Sequence, residues 1–374
     1  MPEKGRAAIF REAQKPMEIR EFDAPEPKEG ELLVRNLVAN ICGSDLHIWL
    51  GHTPIGTQLK MDMVLGHEMV SRVVKSGKGR SRDALGRSLK EGDRVVFAYY
   101  KPCGHCYACL DGAFHTCEIS LNTVFMPVSP QNAFVGGYAD YYLISPKQVV
   151  LKVPDELGDD EVAGVNCALS QVIHGLLDAD LRFGETVVIQ GAGGLGQYAT
   201  AVAREMGASR VIVIDGIDSR IDMAKKMGAD AIIDIRQFPD GQARVKEIKK
   251  LTDNWGADLV VEVVGIPDVM PEGVRMMGRR GRYLTMGNVM PRASYKEDPS
   301  ILVGGNRSIL GRSLYPASVL RKALDFLVRA KNRYPFSTVP VHYPLEKIND
   351  AFSDAETFGK SHKDITRAAI KLAA

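Results

Sequence analysis

Cys42 and His67 are the residues whose types and spacing first suggest chemistry. The run Cys42-Gly43-Ser44-Asp45-Leu46-His47 stands 25 positions ahead of His67, inside a Gly66-His67-Glu68 triplet. A soft thiolate and an imidazole are ligands that zinc prefers, and a nearby carboxylate such as Asp45 can orient a ligating histidine. Two ligands do not make a site. Cys167 is the candidate third, a hundred residues downstream and just ahead of a glycine loop. A fold that closes this set must bring the first third of the chain against the start of a second domain, and clefts between domains are where cofactors sit.

A second set is denser. Cys103, Cys106, Cys109 and Cys117 follow the pattern C-x2-C-x2-C-x7-C. Two-residue spacers let successive thiolates converge on one tetrahedral ion, and four ligands leave no open position, which describes a structural rather than a catalytic zinc site. An iron–sulfur cluster and unrelated surface cysteines are the alternative readings, and His105 is a competing ligand within the run. Four of the six cysteines fall within fifteen residues, and Lys4, Arg6, Arg11 and Glu12 interrupt any apolar signal core. This pattern predicts metal-bound thiolates in a reducing, cytoplasmic setting rather than three disulfides.

The third constellation binds a nucleotide. Thr186–Gln190 is a short apolar strand that runs into Gly191-Ala192-Gly193-Gly194-Leu195-Gly196, and a helical stretch continues to Met206. Arg210 to Ile214 is a second strand ending at Asp215, 24 residues after Gly191. The glycines permit a tight turn and close approach to a pyrophosphate, which then sits on the helix N-terminus. A carboxylate at Asp215 can accept hydrogen bonds from both ribose hydroxyls and repels a 2′-phosphate, so the expected cofactor is NAD rather than NADP. Further strands end at Gly265 and Gly287, which we count with the cofactor site.

The elements that must position these groups are of two kinds. Before Cys167, many short strands punctuated by Gly and Pro suggest an all-β barrel: Gly5 to Phe22, Glu31 to Ala39 with Leu33, Arg35 and Leu37 on one face, Met69 to Ser76 and Asp93 to Ala98. A short helix from Cys42 through Trp49 would hold Ser44 and His47. After Leu169, apolar strands alternate with helices, which indicates a parallel sheet covered on both faces. At 374 residues two domains are expected, and 45% hydrophobic with 25% charged residues is ordinary globular composition. A net charge of +2 with scattered Lys and Arg gives no case for nucleic acid, and apolar runs of strand length give none for a membrane span.

Taken together, these motifs resemble the zinc-dependent medium-chain alcohol dehydrogenase family, from about Gly5 to a closing C-terminal helix. The resemblance implies a GroES-like β-barrel catalytic domain, residues 1–167 and 312–374, around a Rossmann doubly wound parallel sheet, residues 168–311. It implies catalytic zinc on Cys42, His67 and Cys167, with Glu68 approaching the metal transiently, and a second zinc on the four clustered cysteines. Zinc would acidify a bound alcohol, NAD would take the hydride, and the proton would pass by Ser44 to His47. Arg220 would reach the cofactor ribose, and Lys363 or Arg367 its pyrophosphate. Trp49, Tyr99 and Phe134 would line the substrate side. His52, His115, His174, His342 and His362 are expected to be structural or surface residues. The strand Ser308 to Gly311 would lie beside its copy in a homodimer or homotetramer. Gly43 matches polyol- and threonine-type members, whereas Cys167-Ala168-Leu169 replaces their Glu-Pro-Leu. The expected reaction is oxidation of a secondary, partly apolar alcohol, with a polyol or threonine-type dehydrogenase and an inactive structural protein on the same fold as alternatives. The loop from Asn122 to Gly137 has no assigned role.

Overall fold

Two unlike sheets meet in the computed structural model, which describes residues 3–55, 57–58, 60–120, 125–130, 132–287, 294, 296, 298–356 and 364–372. The first is six-stranded and wholly parallel. Its spatial order is Ala231–Asp234, Arg210–Asp215, Thr186–Gln190, Ala257–Glu262, Met277–Thr285 and Ser308–Gly311. That is the 3-2-1-4-5-6 order of a doubly wound dinucleotide fold, whose switch point lies between Thr186–Gln190 and Ala257–Glu262. The central strands are covered on both faces, as parallel strands with crossover helices are: Val187, Val188, Ile189, Ile212, Val213, Val260 and Val261 are all buried.

The second sheet is mixed and barrel-like. Leu32–Asn40 is its hub, pairing with Glu68–Ser76, with Tyr141–Ile144 and with Arg367–Lys371. Arg94–Phe97 and Val150–Lys152 extend one side and Pro340–Pro344 the other. A small sheet of Glu18–Asp23, Lys4–Phe10 and Met63–Val64 closes over it. Leu32 and Val34 are as buried as Leu33 and Leu37, so the hub strand is covered on both faces, not on the single face that its spacing suggests.

The C-terminus corrects the sequence reading. The expected closing helix exists as Ile348–Ala355, but the last element is the strand Arg367–Lys371. Arg-Ala-Ala-Ile-Lys has little intrinsic strand preference; pairing with Asn40, Ala39 and Val38 imposes it. The consequence is functional, because Arg367 is carried to the back of the cleft.

One apolar cluster crosses the junction of the two sheets, from Val38 and Val70 through Leu169 and Leu176 to Val187, Leu284 and Leu320. Full burial of each such side chain stabilises by roughly 1.5–3 kcal/mol, so the two walls of the cleft are packed together rather than merely tethered.

Candidate active site

The donor atoms of Cys42, His67, Glu68 and Cys167 all lie within 4.8 Å of one another, and all four residues are buried. Each arrives from a different kind of element. Cys42 precedes the helix Gly43–Trp49, and Glu68 opens the strand Glu68–Ser76 directly after His67. Cys167 sits in a single π-turn, Val165–Leu169, between a four-residue helix Asp159–Val162 and the helix Ser170–Asp178. The Leu169 amide donates to the Gly164 carbonyl at 3.0 Å, the wide turn that turns Cys167 inward.

Asp45 holds this assembly. Its carboxylate accepts the Cys42 amide at 3.2 Å and the Tyr138 hydroxyl at 2.7 Å, and lies 3.4 Å from His67 Nδ1. The other ring nitrogen, His67 Nε2, therefore faces the donor cluster and lies 3.4 Å from Ser44 Oγ. Cys42 is drawn well below its ordinary pKa, chiefly by its hydrogen bond with Cys167, with positive His67 assisting. The same hydrogen bond, with burial, pushes Cys167 up.

Glu68 is fully buried and forms an ion pair with Arg367, Oε2 to Nη2 at 2.7 Å. Neither Glu68 oxygen has a partner in hydrogen-bond geometry among the described residues. Burial pushes the carboxyl up and Arg367 opposes it. A buried carboxylate lacking hydrogen bonds, beside two thiols and an imidazole nitrogen, is a donor set that suits a divalent zinc-type cation.

The nucleotide loop has the backbone its role requires. Gly191 has φ +95°, and a Cβ on Gly196 would come within 2.0 Å of the Gly191 carbonyl oxygen. Asp215 ties this loop to the neighbouring strand: it accepts the Ala192 amide at 2.6 Å, and the Gly216 and Ile217 amides at 2.7 and 3.0 Å. Beside it opens a cavity of about 590 Å³ lined by Gly191, Gly193, Asp215 and Arg220, among others. The buried Nε of Arg220 has no hydrogen-bond partner among the described residues. Glycine cradle, acid and orphaned guanidinium nitrogen fit a dinucleotide. Gly194 is pressed by Arg367, whose Cζ would lie 2.6 Å from an added Cβ. Gly265, at φ +85°, and Gly287 are packed at the carboxyl edge of the sheet, where Glu262 accepts the Val264 and Gly265 amides at 2.7 Å each.

A second cavity of about 290 Å³ joins the two halves, bringing Cys42, Ser44, His47, His67 and Cys167 against Leu195 and Gly287. Its apolar lining includes Ile48, Ile55, Tyr99, Phe125, Met286 and Leu314. Two expected lining residues are elsewhere. Trp49 packs on Phe352 with ring centroids 5.8 Å apart, and Phe134 stacks edge-on with Phe22 and Tyr141. Helical period explains Trp49: one residue beyond Ile48, it is rotated by about 100° and packs on the same apolar cluster away from the cleft. Phe125, from the unassigned loop, takes the role instead.

The four remaining cysteines also converge, their sulfurs within 4.8 Å of one another. Backbone amides point at the sulfurs: Cys103 to Cys117, Gly104 to Cys109 and His105 to Cys103, at 3.3 to 3.4 Å. The His105 amide heads the causes that lower Cys103 to about 6, so amide donors favour the thiolate form here. His105 itself is exposed and contributes backbone, not a ring ligand.

Several side chains escaped sequence reasoning. Tyr138 and Glu262 carried no motif, and Arg367 was one of two candidates; Lys363, the other, lies outside the described residues, as does His362. His342 is paired with Asp160 at 2.7 Å, and His52 with His47 at 3.0 Å, so neither is the isolated residue its spacing suggested.

A buried thiol–imidazole centre facing a dinucleotide loop across a closed junction defines a metal-assisted oxidoreductase site. The comparisons agree. Residues 28–155 match the alcohol dehydrogenase GroES-like domain, and residues 194–329 the zinc-binding dehydrogenase domain. The 5-exo-hydroxycamphor dehydrogenase of Pseudomonas putida is 31% identical over 89% of this chain and 90% of its own length. An L-threonine 3-dehydrogenase of Pyrococcus horikoshii is 33% identical over 72% of each chain. The crystal structure of an alcohol dehydrogenase from Thermotoga maritima superposes with a TM-score of 0.86 at 28% identity, covering 99% of this chain and 100% of the other. The chain belongs to the zinc-dependent medium-chain alcohol dehydrogenase family, and is an oxidoreductase of the alcohol or polyol type.

Proposed function

We propose that the chain oxidises a secondary, partly apolar alcohol to a ketone, reversibly and with NAD. Cys42, His67 and Cys167 hold the catalytic zinc, Glu68 offers a further donor for transient approach, and Cys103, Cys106, Cys109 and Cys117 hold a structural zinc. The observation that carries this reading is the single cavity in which the buried donor set, Ser44 and Tyr99 meet Leu195 and Gly287 of the nucleotide half. When bound, zinc acidifies the alcohol hydroxyl as a Lewis acid and the nicotinamide accepts the hydride.

The chain's own residues do the rest. Ser44, beside His67 Nε2, orients the alcohol oxygen and passes its proton on towards His47. Asp45 and Tyr138 fix the His67 tautomer. Ile48, Ile55, Phe125 and Leu314 exclude water and bind the apolar part of the substrate. Asp215 and Arg220 recognise the unphosphorylated ribose of NAD, and Gly193, Gly194 and the helix N-terminus behind them receive the pyrophosphate. The catalytic domain comprises 1–167 and 312–374 and the nucleotide domain 168–311. The half-exposed edge strand Ser308–Gly311 is the seat for a second copy, in a homodimer or homotetramer. Six unbridged cysteines accord with a cytoplasmic setting.

A polyol or amino-alcohol is the second reading, favoured by Thr53, Gln171 and Ser313 in the same cavity. Initial rates with NAD on cyclohexanol, benzyl alcohol, sorbitol and threonine separate the two. Cyclohexanol is expected to have the highest kcat/KM, by about ten-fold over sorbitol, since a polyol leaves hydroxyls unpaired against an apolar wall. A similar advantage for sorbitol or threonine would overturn the substrate assignment and leave the hydride transfer standing.

A further inference from the structure

How the reaction's proton leaves the cleft is a question that rests on the alcohol oxidation proposed above. His47 is only 2% exposed. Its two ring nitrogens face different ways. Nε2 points into the cleft, where a Cβ on Gly265 would come within 3.2 Å of it. Nδ1 lies 3.0 Å from Nδ1 of His52, and His52 is exposed. The pair is built rather than incidental: the His52 amide donates to the His47 carbonyl at 2.8 Å, and the rings sit 5.3 Å apart between centroids. At 3.0 Å one Nδ1 must donate its N–H and the other must offer its lone pair, so the two Nδ1 atoms share one proton between them.

We propose that His52 is the outlet of the proton path, a positioning and relay residue that acts through His47. A proton released by the alcohol bonds to His47 Nε2. The His47 Nδ1–H bond then breaks as an N–H bond forms at His52 Nδ1, and the electron pair stays on His47. His52 gives up a proton from Nε2 to water, and water exchange in the emptied cleft restores the starting tautomers. Ketone reduction runs the same transfers inward. Among the described residues, the charged or titratable groups acting on His47 include His52 and, at the start of its own helix, Cys42. Burial first, and His52 second, push His47 down to about 4, so a proton placed there is poorly retained and moves on. An exposed imidazole is the better place to exchange with solvent.

Stopped-flow proton release, followed with a pH indicator in weak buffer, tests this on enzyme loaded with zinc and NAD. In His52→Ala the release is expected to slow by about ten-fold or more and to recover in proportion to added imidazole, with KM for the alcohol within about two-fold of wild type. Unchanged release without an imidazole response, in a variant that still forms NADH, would overturn the proposal. Absence of NADH formation by the wild type would instead overturn the underlying reading, and the route with it. The cofactor-free protein supplies an independent readout in the ring ¹⁵N resonances. Removing His52 should move the His47 midpoint upward, because a neighbour that helps to hold it down is lost; an unmoved midpoint would contradict the coupling of the two rings.

Discussion

Cys42→Ala is expected to lower kcat/KM for alcohol oxidation by about 10³-fold or more, since a Lewis acid supplies several kcal/mol of transition-state stabilisation and each 1.36 kcal/mol is ten-fold in rate. The loss should fall on the chemical step. Cys42 does not line the nucleotide cavity beside Asp215, so NAD affinity measured by fluorescence titration should stay within about three-fold of wild type. The fold should also survive, because Asp45 still accepts the amide of residue 42 and the Tyr138 hydroxyl. His67→Ala should behave alike, with one difference: it leaves the buried Asp45 carboxylate without the imidazole 3.4 Å away, so its melting temperature should fall further. Wild-type turnover in Cys42→Ala would remove this residue from the reaction.

The second large effect concerns cofactor choice. Asp215 has two roles in the proposed site: it would present a carboxylate to the ribose, and it accepts the Ala192 amide of the glycine loop together with the Gly216 and Ile217 amides that follow it. Asp215→Ala removes both and is expected to weaken kcat/KM with NAD by about 10–100-fold, the worth of one or two hydrogen bonds to a charged group. Asp215→Asn removes the charge and keeps one accepting oxygen, which can serve the Ala192 amide or the Gly216 and Ile217 amides but not both sets. It should therefore lose less stability than Asp215→Ala while its preference for NAD over NADP falls, since Arg220, beside the cavity, is then free to meet a 2′-phosphate. Equal or better use of NADP by the wild type would show that the strand-end acid does not select the cofactor.

The cluster of four cysteines and the nucleotide loop were legible because their chemistry forces sequence-local signatures. Thiolates two residues apart, glycines where a Cβ would meet backbone at 2.0 Å, and an acid ending the second strand cannot be placed otherwise. The strands Thr186–Gln190, Ala231–Asp234 and Ser308–Gly311 fall where continuous apolar runs put them. What the sequence concealed depends on long-range pairing. Arg367 meets Glu68 only because an alanine-rich segment is drafted as a strand beside Leu32–Asn40. Trp49 and Phe134 were misassigned because aromatic type says nothing about which core a side chain faces. Phe125 and His52 lie in segments without periodicity, so no pattern announced that one lines the cleft and the other pairs with His47.

The central claim is that two distinct metal centres exist and that one of them is the reaction site. Elemental analysis of the purified chain, with Cys42→Ala and Cys106→Ala beside it, tests this most directly. The account predicts about two zinc ions per wild-type chain and about one in each variant, with activity lost in Cys42→Ala and a lower melting temperature in Cys106→Ala, because a closed site contributes folding energy. A wild-type chain that oxidises alcohols with NAD after thorough chelation, or a Cys42→Ala protein that keeps both zinc ions, would contradict it.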